Sequence, residues 1–173
     1  MNIRVAVIGA ALAGSVLSAA AQGGDANPSG SPIDDAAVAD TNAPRIVPDG
    51  WQESYDAFHY APAVVAGDTI YLSGVVASLQ GDENENNDGD LEASFDRAFE
   101  TLGAILEDAG ADWSHVVEMT TFHTELIHQI GPFTASKDKY LKAPYPSWTA
   151  IDVDRLYPER GVVEIKLIAY VGD

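Results

Sequence analysis

The segment PYPSWTAIDVDRLYPERGVVEIKLIAYV, residues 144–171, decides the fold. Two runs rich in β-branched and aromatic residues, 147–153 and 162–171, flank a loop carrying Pro158 and Gly161, and this pattern predicts two neighbouring strands. In the second run Val163, Ile165, Leu167, Ala169 and Val171 share one face, the period of two expected of a half-buried strand. On the other face Glu164 and Lys166 stand between Val162 and Ile168. A carboxylate inside so apolar a strand pairs with a neighbour, points into a wet cleft or does chemistry, because burying it unpaired is costly. The two strands therefore read as the floor of a site.

Working outward toward the N-terminus, Pro144 and Pro146 stop a short helix predicted over 132–141, with Pro132 in its first turn. Before it, VVEMTTFH (116–123) reads as a strand with neither face cleanly polar. His123 shares a face with Thr121, and an ordinary half-buried histidine is the expectation there. Phe95, Ala98, Phe99, Leu102, Leu106 and Ala109 recur at helical spacing between Asp90, a candidate N-cap, and Gly110, so a helix with a core-facing stripe is predicted. The loop GDENENNDGD (81–90) alternates Asn84, Asn86 and Asp88 ahead of Gly89, but Phe95 occupies the place where a calcium loop needs a bidentate glutamate. A solvated loop is the reading. Ala63–Val65 and Thr69–Leu72 around Gly67-Asp68 predict a hairpin, and Ser73-Gly74 closes it without the GxSxG elbow of a serine hydrolase.

The N-terminal third has a different composition. A basic start (Met1 to Arg4), an apolar run (5–16) and the small residues Ser18 to Ala21 predict a secretory signal peptide over 1–21. Residues 22–50, rich in Gly, Pro, Ser, Asp and Asn without periodicity, read as a flexible linker, and the domain is expected to span 51–173. This implies a periplasmic or secreted protein with no stable membrane association once the signal is removed. There is no cysteine, so no disulfide braces the fold. The 27 acidic and 9 basic residues give a formal charge of −18; losing Arg4 with the signal would make it −19. Nucleic acid is a poor partner for such a surface, since phosphates are repelled on most approaches and no strong local basic patch is visible. Lys137, Lys139 and Lys142 form a modest cluster that reads as a solvated helix face, and the four histidines have no metal-ligand spacing. Two helices cannot cover both faces of a five- or six-stranded sheet, so a symmetric homo-oligomer is expected.

Four separated segments, YAPAVVAGDTIYLSG (60–74), ILEDAGADWSHVVEMTTF (105–122), PYPSWTAIDVDRL (144–156) and VVEIKLIAYV (162–171), resemble the Rid (YjgF-like) family in order and spacing. The resemblance implies an α+β, chorismate-mutase-like fold, with a mixed sheet and two helices packed on one face. It also implies a homotrimer with small-molecule clefts between subunits, no metal or organic cofactor, and hydrolysis of reactive imines and enamines derived from amino acids. Carried over by position, Glu164 matches the glutamate that positions water, Tyr60 the cleft tyrosine and Ser73 the serine of the strand-end Ser-Gly. Trp148 stands where deaminating members have arginine, Ala150 where a cysteine is frequent and Lys137 where an asparagine is frequent. The arginine matters because a planar guanidinium grips a carboxylate bidentately, which an indole cannot do. Trp148 offers an apolar face and one N–H, so a less charged, aromatic or hydrophobic ligand is expected. Lys166, two residues from Glu164, either supplies a cation near the cleft or is solvated. Two functions follow from these residues: a C=N hydrolase using Glu164 and Tyr60 with altered substrate choice, or a non-catalytic trimer that binds a small ligand or unfolded clients.

Overall fold

The computed structural model describes residues 42–172. The strands are β1 (Arg45–Ile46), β2 (Ala63–Ala66), β3 (Thr69–Leu72), β4 (Val75–Ser78), β5 (Val116–His123), β6 (Ser147–Asp152) and β7 (Gly161–Tyr170). The helices are α1 (Gln52–Phe58), α2 (Asp88–Asp108) and α3 (Leu126–Tyr140), with a 3-10 turn at Trp113–His115. All these strands form one mixed sheet, in the order β1-β2-β3-β7-β5-β6, with β4 also paired to β7. Only β5 and β6 run parallel; α3 lies between them in sequence and makes the crossover that parallel neighbours require.

The long strand β7 organises the sheet. Its Val163, Ile165, Leu167 and Ala169 are fully buried, as the alternation predicts, and Val171 lies beyond the strand and is exposed. Along one edge β7 pairs with β3 through Ile168–Tyr170 and with β4 through 161–165; β5 pairs along the other edge. The α2 stripe, Leu91, Phe95, Ala98, Phe99, Leu102, Ile105 and Leu106, joins the same core. Phe133 of α3 meets Phe95 edge-on at 5.4 Å and Phe99 at 5.6 Å, and Phe99 stacks on Tyr140 at 5.0 Å, so aromatic rings lock α2 to α3.

Several expectations are corrected. The segments 147–153 and 162–171 are not adjacent strands, because β5 lies between β6 and β7. Alternation assigns faces, but pairing across the sheet is a long-range choice that it does not encode. Helix α3 starts six residues before Pro132, which lies buried inside it. The sequence reading favoured proline at a first turn, whereas burial of Gln129, Pro132, Phe133 and Ser136 on one side holds the helix through the proline. The α2 N-cap is Asn87, whose side chain accepts from the Asp90 N–H at 3.1 Å, not Asp90. The folded region begins before Trp51: β1 pairs Arg45 with Val64 and Ile46 with Ala63, so the end of the expected linker is a strand. α1, seven mostly polar residues, had no periodic signal. The acidic loop is exposed but not loose, for Arg97 grips the Glu83 carboxylate at 2.7 and 2.8 Å and Arg160 donates to the Gly81 and Glu83 carbonyls at 2.7 and 2.6 Å. The expected signal peptide, 1–21, lies outside the described residues. Within them, no helix is long and apolar enough to cross a membrane.

Candidate functional site

The chain leaves β3 and enters β4 through Ser73-Gly74, running along the same edge of β7. At this joint the Ser73 hydroxyl donates to the Ala61 carbonyl at 2.7 Å and the Ser73 N–H donates to Pro62 at 2.8 Å. Ser73 is therefore a brace that fixes the backbone next to Tyr60. Gly74 leaves room for Glu164: a Cβ built on it would stand 2.7 Å from the Glu164 carboxyl carbon and 2.9 Å from its Cγ. Half-buried, the Glu164 carboxylate lies over bare backbone, and among the described residues no hydrogen-bond donor meets it. Its oxygens are left to water or a ligand, the state a water-activating carboxylate needs.

Tyr60 borders a cavity of about 430 Å³ shared with Arg45, Tyr55, Asp56, His59 and Val64. Burial pushes its phenol above the usual range, so it remains a proton donor at neutral pH. His59 ends α1 in the left-handed conformation (φ 55°), which turns the chain into Tyr60. A second cavity, of about 310 Å³, lies by Glu83, Glu85, Glu159 and Arg160 and contains none of the candidate residues.

Trp148, Ala150 and Lys137 belong to another group. In register, Trp148 lies beside Met119 and Leu167, whereas Glu164 lies beside Phe122 and, across it, Ile151. Since neighbours in register project to the same side and successive residues alternate, Trp148 points to the helix-covered face and Glu164 to the opposite one. Within one chain, then, Glu164 and Trp148 lie on opposite faces of the sheet. Lys166 shares the Glu164 face and is exposed.

On the helix side Trp148 packs against Phe133 with centroids 5.6 Å apart. The Lys137 ammonium, paired with Asp138, stands 5.5 Å from the Trp148 ring and 5.8 Å from the Tyr145 ring. Ala150 is half-buried, in register with Thr121. The Trp148 indole N–H donates to Thr121 Oγ1 at 3.0 Å, and Thr121 Oγ1 lies 2.9 Å from Nε2 of His123. His123 is fully buried, not half-buried as expected, and burial pushes its pKa down against smaller upward effects of Gln129 and Asp152. Sequence reasoning missed this network, although His123 and Thr121 two apart on one strand face were its visible trace. Gly74 was read only as a strand end. Among the described residues no group of three or more His, Cys, Asp or Glu is placed to hold a metal ion.

Residues 52–171 match the family model described as Endoribonuclease L-PSP. The RutC family protein YjgH of Escherichia coli is 32% identical over 129 residues, spanning 74% of this chain and 95% of that protein. A 2-iminobutanoate/2-iminopropanoate deaminase of Dermatophagoides farinae is 30% identical over 115 residues, spanning 65% of this chain and 85% of that protein. The solved structure of protein YjgH superposes with a TM-score of 0.60 at 27% identity, covering 76% of this chain and 98% of that one. The α+β fold with its mixed sheet is shared with that structure, and the chain belongs to the Endoribonuclease L-PSP family, the group to which the Rid (YjgF-like) resemblance pointed.

Proposed function

We propose that this protein hydrolyses reactive imines or enamines, with Glu164 as the base that directs water and Tyr60 as a proton donor. The observation that carries this reading is the Glu164 carboxylate lying over Gly74 with no donor among the described residues to engage it, beside the Ser73 brace that fixes the Tyr60 segment. In the reaction, Glu164 takes a proton from water as its oxygen bonds to the C=N carbon; the nitrogen is protonated, and ammonia leaves as the carbonyl forms. Similarity to proteins named as 2-iminobutanoate/2-iminopropanoate deaminases supports the reaction class. With Trp148 in place of a carboxylate-gripping arginine, the preferred substrate lacks a carboxylate at that wall. A homotrimer completes the site, by bringing the β6 edge of one copy to the Glu164 face of another. The basic, apolar and small-residue order of 1–21 supports an exported protein.

The test is ammonia release from freshly generated imines with and without a carboxylate. Glu164→Gln is expected to reduce kcat by about 10²–10⁴ with the melting temperature nearly unchanged; unaltered turnover in this variant removes the hydrolase reading. A second reading, ligand binding without catalysis, is favoured by one observation: the Trp148 side chain is committed to Thr121, Phe133 and Lys137 on the far side of the sheet from Glu164. Turnover absent from the native protein but present in Trp148→Arg would support it.

A further inference from the structure

A run of hydrogen bonds with a fixed direction ends on Trp148. It starts at the Val162 carbonyl, which accepts the Thr124 hydroxyl at 3.2 Å. With its only hydroxyl proton used, Thr124 Oγ1 accepts from the Gln129 amide NH₂ at 3.1 Å. That orients the Gln129 carbonyl oxygen toward Nδ1 of His123, 3.2 Å away, so Nδ1 must carry the proton. Nε2 of the neutral ring is then an acceptor, and its partner at 2.9 Å is the Thr121 hydroxyl. The alternative acceptor for Thr121, the Thr149 carbonyl, lies at 3.5 Å and is much the weaker. With its hydroxyl hydrogen turned toward His123, Thr121 Oγ1 accepts the indole N–H of Trp148 at 3.0 Å. His123, Thr121 and Gln129 are almost completely buried.

We propose that His123 is a positioning residue which, through Thr121, holds the Trp148 indole with its N–H turned into the protein, so that a ligand meets only the aromatic ring. The inference rests on the reading that Trp148 lines the ligand site, and it narrows that site's substrate class. Trp148 is 36% exposed, and its exposed part has no donor left to give. Phe133 packs against the indole from within, and the Lys137 ammonium lies near its ring. The remaining surface of the indole is a flat apolar wall, which favours aromatic or unsaturated imines and itself donates nothing to a carboxylate or amide oxygen.

The experiment is NMR on the ¹⁵N-labelled full chain near pH 7.5. The native long-range histidine spectrum is expected to show His123 as the Nδ1–H tautomer; an Nε2–H tautomer overturns the proposal. In Thr121→Val the Trp148 indole N–H resonance is expected to shift and to exchange with water faster, with Trp51 and Trp113 unmoved as controls for folding, and Thr121→Ser is expected to restore it. An unmoved Trp148 signal in a folded Thr121→Val protein also overturns the proposal. In the ammonia-release assay, Thr121→Val should raise KM for an aromatic imine roughly fivefold, the effect of one hydrogen bond, with kcat within about twofold. If the native protein turns over no imine, the hydrolase reading falls, and the tautomer and indole signals alone decide the role of His123.

Discussion

Gly74 is where the candidate chemistry is most sensitive to a single atom. Any Cβ there enters space held by the Glu164 side chain, so Gly74→Ala must displace the carboxylate or the β3–β4 joint. Overpacking of this kind costs about 1–3 kcal/mol. The expected result is a lower melting temperature together with loss of ammonia release, measured by calorimetry and by the same assay. His123 gives a second prediction at this scale. Its folded pKa lies below the ordinary value, so as pH falls through about 6.5 the unfolded chain takes up a proton that the folded chain refuses. Stability is therefore complete above that pH and declines toward the folded pKa, and thermal melts from pH 7.5 to 5 should fall more steeply for the native protein than for His123→Gln. Glu83, held below the usual carboxylate range mainly by its hydrogen bond to Arg97, adds its own loss only in stronger acid. Glu164 was legible in the sequence because a charge interrupted an apolar strand. Gly74 and Thr121 were not, because a glycine or threonine at a strand announces no partner until the facing side chain is in place.

At the scale of elements, the α2 and β7 patterns could be read directly: a stripe at 3.6 and an alternation at 2 each report a single buried face. Phe133 shows where that method stops. It lies in a helix whose start was misplaced at Pro132, yet it touches Phe95 and Phe99 of α2, His123 of β5 and Trp148 of β6. Phe133→Ala should cost about 3–5 kcal/mol, the range for removing a buried aromatic. Chemical denaturation measures that loss. The same variant should change Trp148 fluorescence under conditions where the chain is still folded, since the indole loses the ring behind it. Placement of β5 between β6 and β7 was beyond the sequence for a different reason: the parallel β5–β6 pair is closed by a long crossover through α3, and no local signal names its partner.

For the whole molecule, the open face of the sheet points to a partner. Tyr71, Tyr170 and Ile151 are each more than 40% exposed and lie on the face that carries Glu164: Tyr71 is in register with Ile168, Ile151 with Phe122, and Tyr170 is an even number of residues along β7 from Glu164. An apolar surface of this kind calls for a partner that covers it, and the proposed trimer does so by laying the β6 edge of one copy against this face of the next. Sedimentation is expected to give the mass of three chains, and Ile151→Lys is expected to shift it toward one. Division of the candidate residues between two faces has an energetic consequence as well. Among the described residues of one chain Trp148 and Glu164 share no partner, so their substitutions should add in folding free energy. A double-mutant cycle on ligand affinity has no such reason to be additive if two copies build one site. The coupling energy it returns would be a thermodynamic measure of assembly, obtained without observing the oligomer.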